Sequence, residues 1–560
     1  MILCSDFETS SQQMFEAEGR ARVYLWGTKE INGRRITSKH YNNLAYGTSI
    51  EGYFYFLKSL EQDLFVYFHN LSHDGEFIMW YLLESGYVYT DEEEPKEGQY
   101  NTLITDDNKY YFIKVKCNGH VIEFKCSYRM IPLSIKEMGK IVGVEKLGDT
   151  YNYNEIKTYR HPNEIPETDL KYIHNDVEIM RLMILEAYQM GINKLTMAAS
   201  AYSSWKGTQI QFEKHELPEL DEISSKYVDM SYKGGITQVN PKYKGKILKD
   251  ICSYDVNSLY PSVMLDNPMP YGEPVFVRVE DMKPKKRRYL LHIFVTEANI
   301  NEGYIPFIGL RTGYGISSYE YPETLLNKEL SLWYDEYNLF NTYYSGTWEI
   351  VNVLEFKQRE HVFDEYFETW KTIKETTKNP ATKKIAKLMM NGLYGKFGSS
   401  KDKRSKIFDG IEGDKLHSRL IEKEVKAYYR PIASIITSYA RCVLIRAIEM
   451  CHDDFIYCDT DSIYIKWSST PPNIPIDSVK LGWWDYEGKY NRFKALKAKC
   501  YIKETEKGNE TRIAGLPKSA QRLVTFDNLE NGLIVHKAKL ARKRVKGGVI
   551  LCETDFTIKL

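Results

Sequence analysis

Apolar and polar positions alternate in short blocks over the first 185 residues. Residues 23–27 (VYLWG), 65–70 (FVYFHN), 110–117 (YYFIKVKC) and 120–126 (HVIEFKC) are rich in β-branched and aromatic side chains and predict strands. From Tyr172 to Ala187 the apolar spacing turns helical. Strands interleaved with helices predict an α/β domain, left through a loop at residues 191–196 (GINKLT). Residues 457–465 (YCDTDSIYI) predict a strand or a tight hairpin. Residues 383–398 predict a helix that Gly395 can end. Residues 267–361 carry strand-like runs and a helix near Thr324–Leu339.

The chain of 560 residues is long enough for about three to five domains. Apolar residues at 43%, charged residues at 27% and a mean hydropathy of −0.46 exclude global disorder. No run of 18 apolar residues predicts a membrane span, and the first residues lack the pattern of a secretion signal. The nine cysteines are scattered without a CxxC, which predicts reduced thiols rather than a zinc site. With 76 basic against 76 acidic residues, the overall charge argues mildly against a polyanion partner. Its distribution changes that picture. Residues 283–288 (KPKKRR), 371–387 and 536–546 (HKAKLARKRVK) are basic clusters suited to phosphate, whereas 91–97 (DEEEPKE) reads as a solvated acidic loop.

Two carboxylates, Asp459 and Asp461, stand two residues apart. They share a face on a strand or straddle the tip of a hairpin, and bare acids that close call for a cation such as Mg²⁺ or Mn²⁺ or a shared proton. An apolar run leads to Asp255 in SYDVNSLYPSVM (253–264), which reads equally as a capped strand end. Lys387, Asn391 and Tyr394 fall on one helical face, a stripe suited to a charged, flat ligand. Near the N-terminus, Asp6 and Glu8 are i and i+2 on a predicted strand, Asp74 follows another, and Tyr172 and Asp176 are i and i+4 on a helix. These four acids could hold two metals and hydrolyse a phosphodiester, with Tyr172 orienting water. Their bland alternative is a set of solvated acids.

The strings D-x-x-S-L-Y-P, K-x-x-x-N-x-x-Y-G and Y-x-D-T-D-S, in this order, resemble the polymerase motifs of family B DNA polymerases. The N-terminal DFE, NLSHDGEFI, the YxxxD string and the FTIK ending resemble the protein-primed branch found in small tailed bacteriophages. The resemblance covers essentially the whole chain. It implies an α/β and α+β multidomain protein: a ribonuclease-H-like 3′–5′ exonuclease domain followed by a right-hand palm, fingers and thumb with two inserted regions. The expected boundaries are exonuclease 1–190, palm 191–266 and 432–521, first insertion 267–361, fingers 362–398, second insertion 399–431 and thumb 522–560.

The same resemblance implies residue roles. Asp255, Asp459, Asp461 and the Val256 carbonyl are expected metal ligands for synthesis. Asp6, Glu8, Asp74 and Asp176, with Tyr172, are expected to serve the exonuclease, and two Mg²⁺ ions (Mn²⁺ being an alternative) are expected at each centre. Tyr260, Lys374, Lys387, Asn391 and Tyr394 are expected to bind the incoming nucleotide, Tyr260 excluding a 2′-hydroxyl. Thr9, Asn70, His73, Ser127, Ser258, Lys499, Tyr501 and the YKGG residues Tyr232, Gly234 and Gly235 are expected to hold DNA. Lys146 is the nearest match to a catalytic lysine, its spacing to Asp149 displaced by one. The expected partners are primer–template DNA, deoxynucleoside triphosphates and a terminal priming protein bound by the first insertion. The expected setting is a monomer in the host cytoplasm with no membrane. The second insertion is expected to be a hairpin closing around template and product. Competing readings are a primer-independent polymerase of the same fold and a DNA-binding scaffold with inactive sites.

Overall fold

A computed structural model describes residues 1–148, 156, 157, 159–208, 212, 216–311, 319–400, 402–425 and 428–559, so Asp149 lies outside the described residues. The N-terminal domain is built on a mixed sheet of nine strands among the described residues. Its strand Ile2–Thr9 pairs antiparallel with Val23–Glu30 and parallel with Leu64–Phe68, which continues parallel into His120–Cys126. The β-rich runs of the sequence are these strands. Helix Glu167–Gln189 lies over them and buries Ile173, Val177, Met180, Ile184 and Ala187, a repeat of three and four that forms one stripe. Gly27 permits that closeness, since a Cβ there would stand 3.0 Å from Ile173.

The central unit is a sheet in which Leu248–Val256 runs antiparallel between Ser462–Lys466 and Trp484–Lys497. Helix Arg430–Cys451 passes behind it. This helix is long and apolar enough by composition to cross a membrane, yet 89% of its apolar window is buried in the protein, as in a core helix. Its Arg441 forks onto Glu336 at 2.7 and 2.8 Å, both side chains 4% exposed, and donates to the Lys233 carbonyl. Removing one partner of a pair buried this well costs about 3–5 kcal/mol, because the other charge is stranded. The pair fastens the region 267–361 to the core.

That region is a four-stranded antiparallel sheet among the described residues, in the order Met269–Val277, Tyr344–Arg359, Arg288–Ile300, Thr324–Trp333. The helix expected at Thr324–Leu339 is corrected: residues 324–333 are a strand, and the helix runs Tyr334–Tyr343. Pairing decides it, because the segment is in register with Arg288–Ile300 from Leu325 opposite Ala298 to Trp333 opposite Leu290. Cross-strand packing of this kind outweighs local helix preference.

Two antiparallel helices follow, Asp364–Thr376 and Pro380–Phe397. The second helix passes through the exposed Gly395 and ends at Gly398, since Leu393 and Phe397 are both buried and hold the last turn. Hairpin Asp402–Glu412/Lys415–Glu424 and hairpin Ile534–Val545/Gly548–Thr557 both reach back to the N-terminal domain. From the first, Phe408 accepts from the Tyr100 hydroxyl and Lys406 donates to Asn108 at 2.6 Å. From the second, Arg544 binds the buried Glu76 at 2.6–3.0 Å and Arg542 donates to the Ser72 carbonyl at 2.7 Å. Phe408 and Val549 are buried in the N-terminal domain's own core. Both hairpins, distant in sequence, are thereby fastened to the N-terminal domain.

Candidate active sites

The central site sits where strand Leu248–Val256 ends and the hairpin 455–466 turns. Asp459 closes strand Phe455–Asp459, and Thr460 and Asp461 form the tip. Thr460 adopts φ 61°, and the Asp461 carbonyl accepts the Val256 N–H at 2.7 Å, which pins the tip beside Asp255. The carboxylates differ in their surroundings. Asp459 is compensated: Thr237 and Thr460 hydroxyls donate to it at 2.9 and 3.2 Å, and Lys499 stands 3.6 Å away. Asp255 and Asp461 have no ion-pair partner among the described residues. Burial first, then the Asp461 charge, with Glu487 and Asp485 beyond, push Asp255 up to about 7. Burial likewise raises Asp461. Glu487 and Asp485 stand on strand Trp484–Lys497, where register slips opposite Ser253 and Tyr254. The slip is a bulge, invisible in a motif search.

Helix Leu259–Asp266 begins just beyond Asp255, with Ser258 in the left-handed region at φ 54°. Tyr260 on this helix and Tyr394 on Pro380–Phe397 stack face to face, centroids 4.2 Å apart and planes 9° apart. Lys387 is near enough to pull the Asp255 carboxyl down against the stronger raising influences. Asn391 is one turn on from Lys387, while Lys374 ends the neighbouring helix Asp364–Thr376. In the YKGG loop, Gly235 lies against the hairpin tip: a Cβ there would meet the Thr460 backbone at 3.0 Å. This glycine serves contact with the aspartate hairpin, whereas Gly234 is exposed with open space around it. Tyr232 packs under Gly398. Lys499 is exposed beside Asp459, and the Tyr501 ring packs at a tilt among Tyr457, Tyr464 and Phe493.

The N-terminal site gathers Asp6 and Glu8 from one strand, Asp74 from the start of helix Asp74–Glu84, and Tyr172 and Asp176 from helix Glu167–Gln189. Burial, then the Asp176 charge, hold Asp6 at about 7. Glu8 and Asp74 are pushed well above the carboxylate range by burial and then by Asp6. Lys146 stands 2.5 Å from Asp176 and 5.6 Å from the centre of the Tyr172 ring, so the fold brings it into the site despite its displaced spacing. Thr9 and His73 bond at 2.9 Å, and burial lowers His73 to about 4. Asn70 is exposed at the mouth, with φ 62°. Ser127 is buried, its hydroxyl donating to the Phe68 carbonyl and bonded to His69, so it shapes the wall from behind.

Beside this site a cleft of about 640 Å³ is lined by His69, Asn70, Tyr128, Ser134, Lys136 and Lys146. Of these, His69, Tyr128, Ser134 and Lys136 were not singled out by sequence. Lys136 and the FHN string ahead of Asp74 are the signals that could have marked them.

Among the described residues no three acidic, histidine or cysteine side chains converge into a ready-made cation cage. The electrostatics nonetheless suit cations. One oxygen of Asp176 is buried without a hydrogen-bond partner, and burial with neighbouring carboxylates raises Asp6, Glu8 and Asp74 at one site and Asp255 and Asp461 at the other, which a cation would relieve.

Residues 145–475 match the family described as DNA polymerase type B, organellar and viral. The chain is 30% identical to the DNA polymerase of Bacillus phage M2, covering 100% of this chain and 99% of that one. Phi29 DNA polymerase complexed with primer-template DNA superposes with a TM-score of 0.89 at 28% identity, covering 100% of both chains. The same polymerase with primer-template DNA and incoming nucleotide substrates gives a TM-score of 0.88 at 27% identity over 100% of both chains.

Proposed function

Because this chain belongs to the type B DNA polymerases, in the phi29-like branch of Bacillus phages, we propose that its two acidic centres divide replicative synthesis from 3′–5′ proofreading. The chain is a replicative DNA polymerase acting on primer–template DNA and deoxynucleoside triphosphates, in a cell infected by a phage. The observation that carries the assignment of the synthetic centre is the uncompensated Asp255–Asp461 pair, with Lys387 and the Tyr260–Tyr394 stack facing it.

In this reading Lys387 and Lys374 receive the triphosphate as point charges. Tyr260 lies under the sugar, where its bulk rejects a 2′-hydroxyl. Asn391 and Tyr394 form the wall of the nascent base pair, so the two tyrosines part as a nucleotide enters. Lys499 and Tyr501 hold the primer end, with Lys499 also neutralising Asp459. Tyr232 and Gly234 line the path of the template, and Ser258 lies at its floor. At the N-terminal centre Asn70, Thr9 and His73 guide a single strand along the cleft. Tyr172 and Lys146 orient the attacking water.

Asp255, Asp461 and the Val256 carbonyl, with Asp459 beside them, would hold Mg²⁺ or Mn²⁺ for synthesis; Asp6, Glu8, Asp74 and Asp176 would do so for hydrolysis. Such ions supply charge neutralisation of the phosphoryl oxygens. Cation binding must displace protons from Asp255, so affinity should rise as pH climbs toward about 7 and level off above it. The sign for stability is the opposite in the cation-free protein. The folded state holds a proton on Asp255 that the unfolded chain releases above its ordinary value of 3.8, so this group's contribution is lost as pH rises from there through about 7. Thermal unfolding with and without Mg²⁺ across that range checks both. A cation-induced gain that does not grow with pH would contradict the assignment.

A ring made by the hairpin 402–424, the thumb hairpin and the N-terminal domain would support processive, strand-displacing synthesis. The sheet 269–359 is our candidate seat for a priming protein. Extension of a labelled primer on a single-stranded circle, with Mg²⁺ and nucleotides and without helicase or clamp, tests the reading. Products longer than one circle are expected, and failure to extend would overturn it. Arg544→Met frees the tip of the thumb hairpin from Glu76. Weakening the junction by ~1.4 kcal/mol or more would raise the open fraction about tenfold, shortening those products while single-nucleotide addition survives. Unchanged product length would remove the ring from the account.

A further inference from the structure

The turn joining the two fingers helices rests on the exonuclease helix Glu167–Gln189. There Glu186 accepts two hydrogen bonds, from Asn379 Nδ2 at 3.0 Å and from the Thr382 hydroxyl. Asn379 is at the same time the N-cap of helix Pro380–Phe397, its Oδ1 accepting from the Ala381 N–H at 2.9 Å. The carboxylate therefore lies at the positive end of that helix, where an anion is favoured. One acidic side chain of the exonuclease domain thus holds the first turn of the helix that carries Lys387, Asn391 and Tyr394.

The far end of this helix is committed as well. Tyr394 is stacked on Tyr260 at 4.2 Å, a spacing that leaves no room for a base pair between the rings. Thr382 and Tyr394 lie on one helix, about 18 Å apart at 1.5 Å per residue. The helix is uninterrupted from Pro380 to Phe397, so a displacement of one end is carried to the other. A swing that parts the tyrosines also shifts the first turn relative to Glu186. Hydrogen bonds to a carboxylate weaken steeply with distance and angle, so the contact at the tip resists the swing.

We propose that Glu186 is a positioning residue, a clasp that holds the fingers helix in the stacked arrangement and is released as a nucleotide enters. The proposal rests on the reading of Tyr260 and Tyr394 as the nucleotide pocket. Its consequence is quantitative. A nucleotide that binds only the unclasped state shows an affinity reduced by the fraction of molecules in that state. Loosening the clasp should therefore improve apparent nucleotide binding without touching the chemistry.

The test is single-turnover incorporation of one nucleotide into a primed template, with the nucleotide concentration varied. Glu186→Ala removes both acceptors and should lower the half-saturating nucleotide concentration by about three- to tenfold, leaving the maximum rate where it was. Asn379→Asp keeps the cap on Ala381 but replaces the donor to Glu186 with a like charge, and it should shift the half-saturation in the same direction. The Glu186→Ala, Thr382→Val pair should be non-additive, since both act on one contact. Degradation of a single-stranded oligonucleotide by Glu186→Ala should match that of the unaltered chain. A matching rate separates loss of the clasp from general loosening of the exonuclease domain. Half-saturation unmoved or raised in both variants, with normal extension by the unaltered chain, would overturn the clasp alone. No extension by the unaltered chain would overturn the polymerase reading and the clasp with it.

Discussion

Asp461→Ala is expected to abolish DNA synthesis, by about 10³–10⁵-fold in single-nucleotide addition, taking several kcal/mol of charge stabilisation from the transition state at about 1.4 kcal/mol per tenfold. The loss should not come from folding. The bonds that shape the hairpin tip at this residue are backbone bonds, with Asp461 N–H donating to the Asp459 carbonyl and its own carbonyl accepting from Val256, and alanine keeps both. Removing the carboxylate also relieves Asp255 of the charge that, after burial, does most to raise it. The Asp255 carboxyl should consequently titrate lower, and the cation-free variant should melt no lower than the parent above pH 7. Inactivity with unchanged or raised thermal stability is the combined signature of a functional carboxylate held at the expense of the fold. A variant that retains synthesis within about tenfold would dismiss Asp461 from the centre.

Asp6→Ala combined with Glu8→Ala should erase 3′-end degradation to a similar depth, about 10³-fold or more, while primer extension continues. Both side chains leave the same strand face, and both carboxyls are raised by burial first, with Asp176 adding to Asp6 and Asp6 adding to Glu8. The strand itself is secured by its pairing with Val23–Glu30 and Leu64–Phe68, which the substitutions do not touch. A labelled primer with a mismatched 3′ end would then persist where the parent trims it. Trimming that continues would dismiss these two acids from the hydrolytic centre and leave the cleft of about 640 Å³ without its chemistry.

These two outcomes concern residues already visible in the chain, because they depend on spacing within single elements. Asp6 and Glu8 share a strand face and Tyr172 and Asp176 share a helical face, each relation fixed by a repeat of two or about 3.6 residues, while Asp459 and Asp461 stand two apart at one hairpin turn. Strand and helix identity was legible wherever the apolar pattern was unambiguous, as over residues 110–126 and 172–187. It failed at residues 324–333, where Leu, Lys and Glu favour a helix locally and register with a strand some thirty residues earlier overrides them. It failed at Gly395 because the burial of Phe397, beyond the glycine, prolongs the helix.

The order of the motifs, the identity of the acids and the periodicity of their elements are local properties, so the chain alone determined the family and named both centres. Contacts between distant segments obey no such period. That Asp459 accepts from Thr237, 222 residues away in sequence, and faces Lys499 while Asp255 is left raised follows from distant segments meeting in one sheet. That Arg544 pairs with Glu76, that Lys146 reaches Asp176 and that Glu186 holds Thr382 are of the same kind. Charge compensation depends on distance in space and on burial, both set when the sheets and helices pack, and neither is encoded in any window of the sequence.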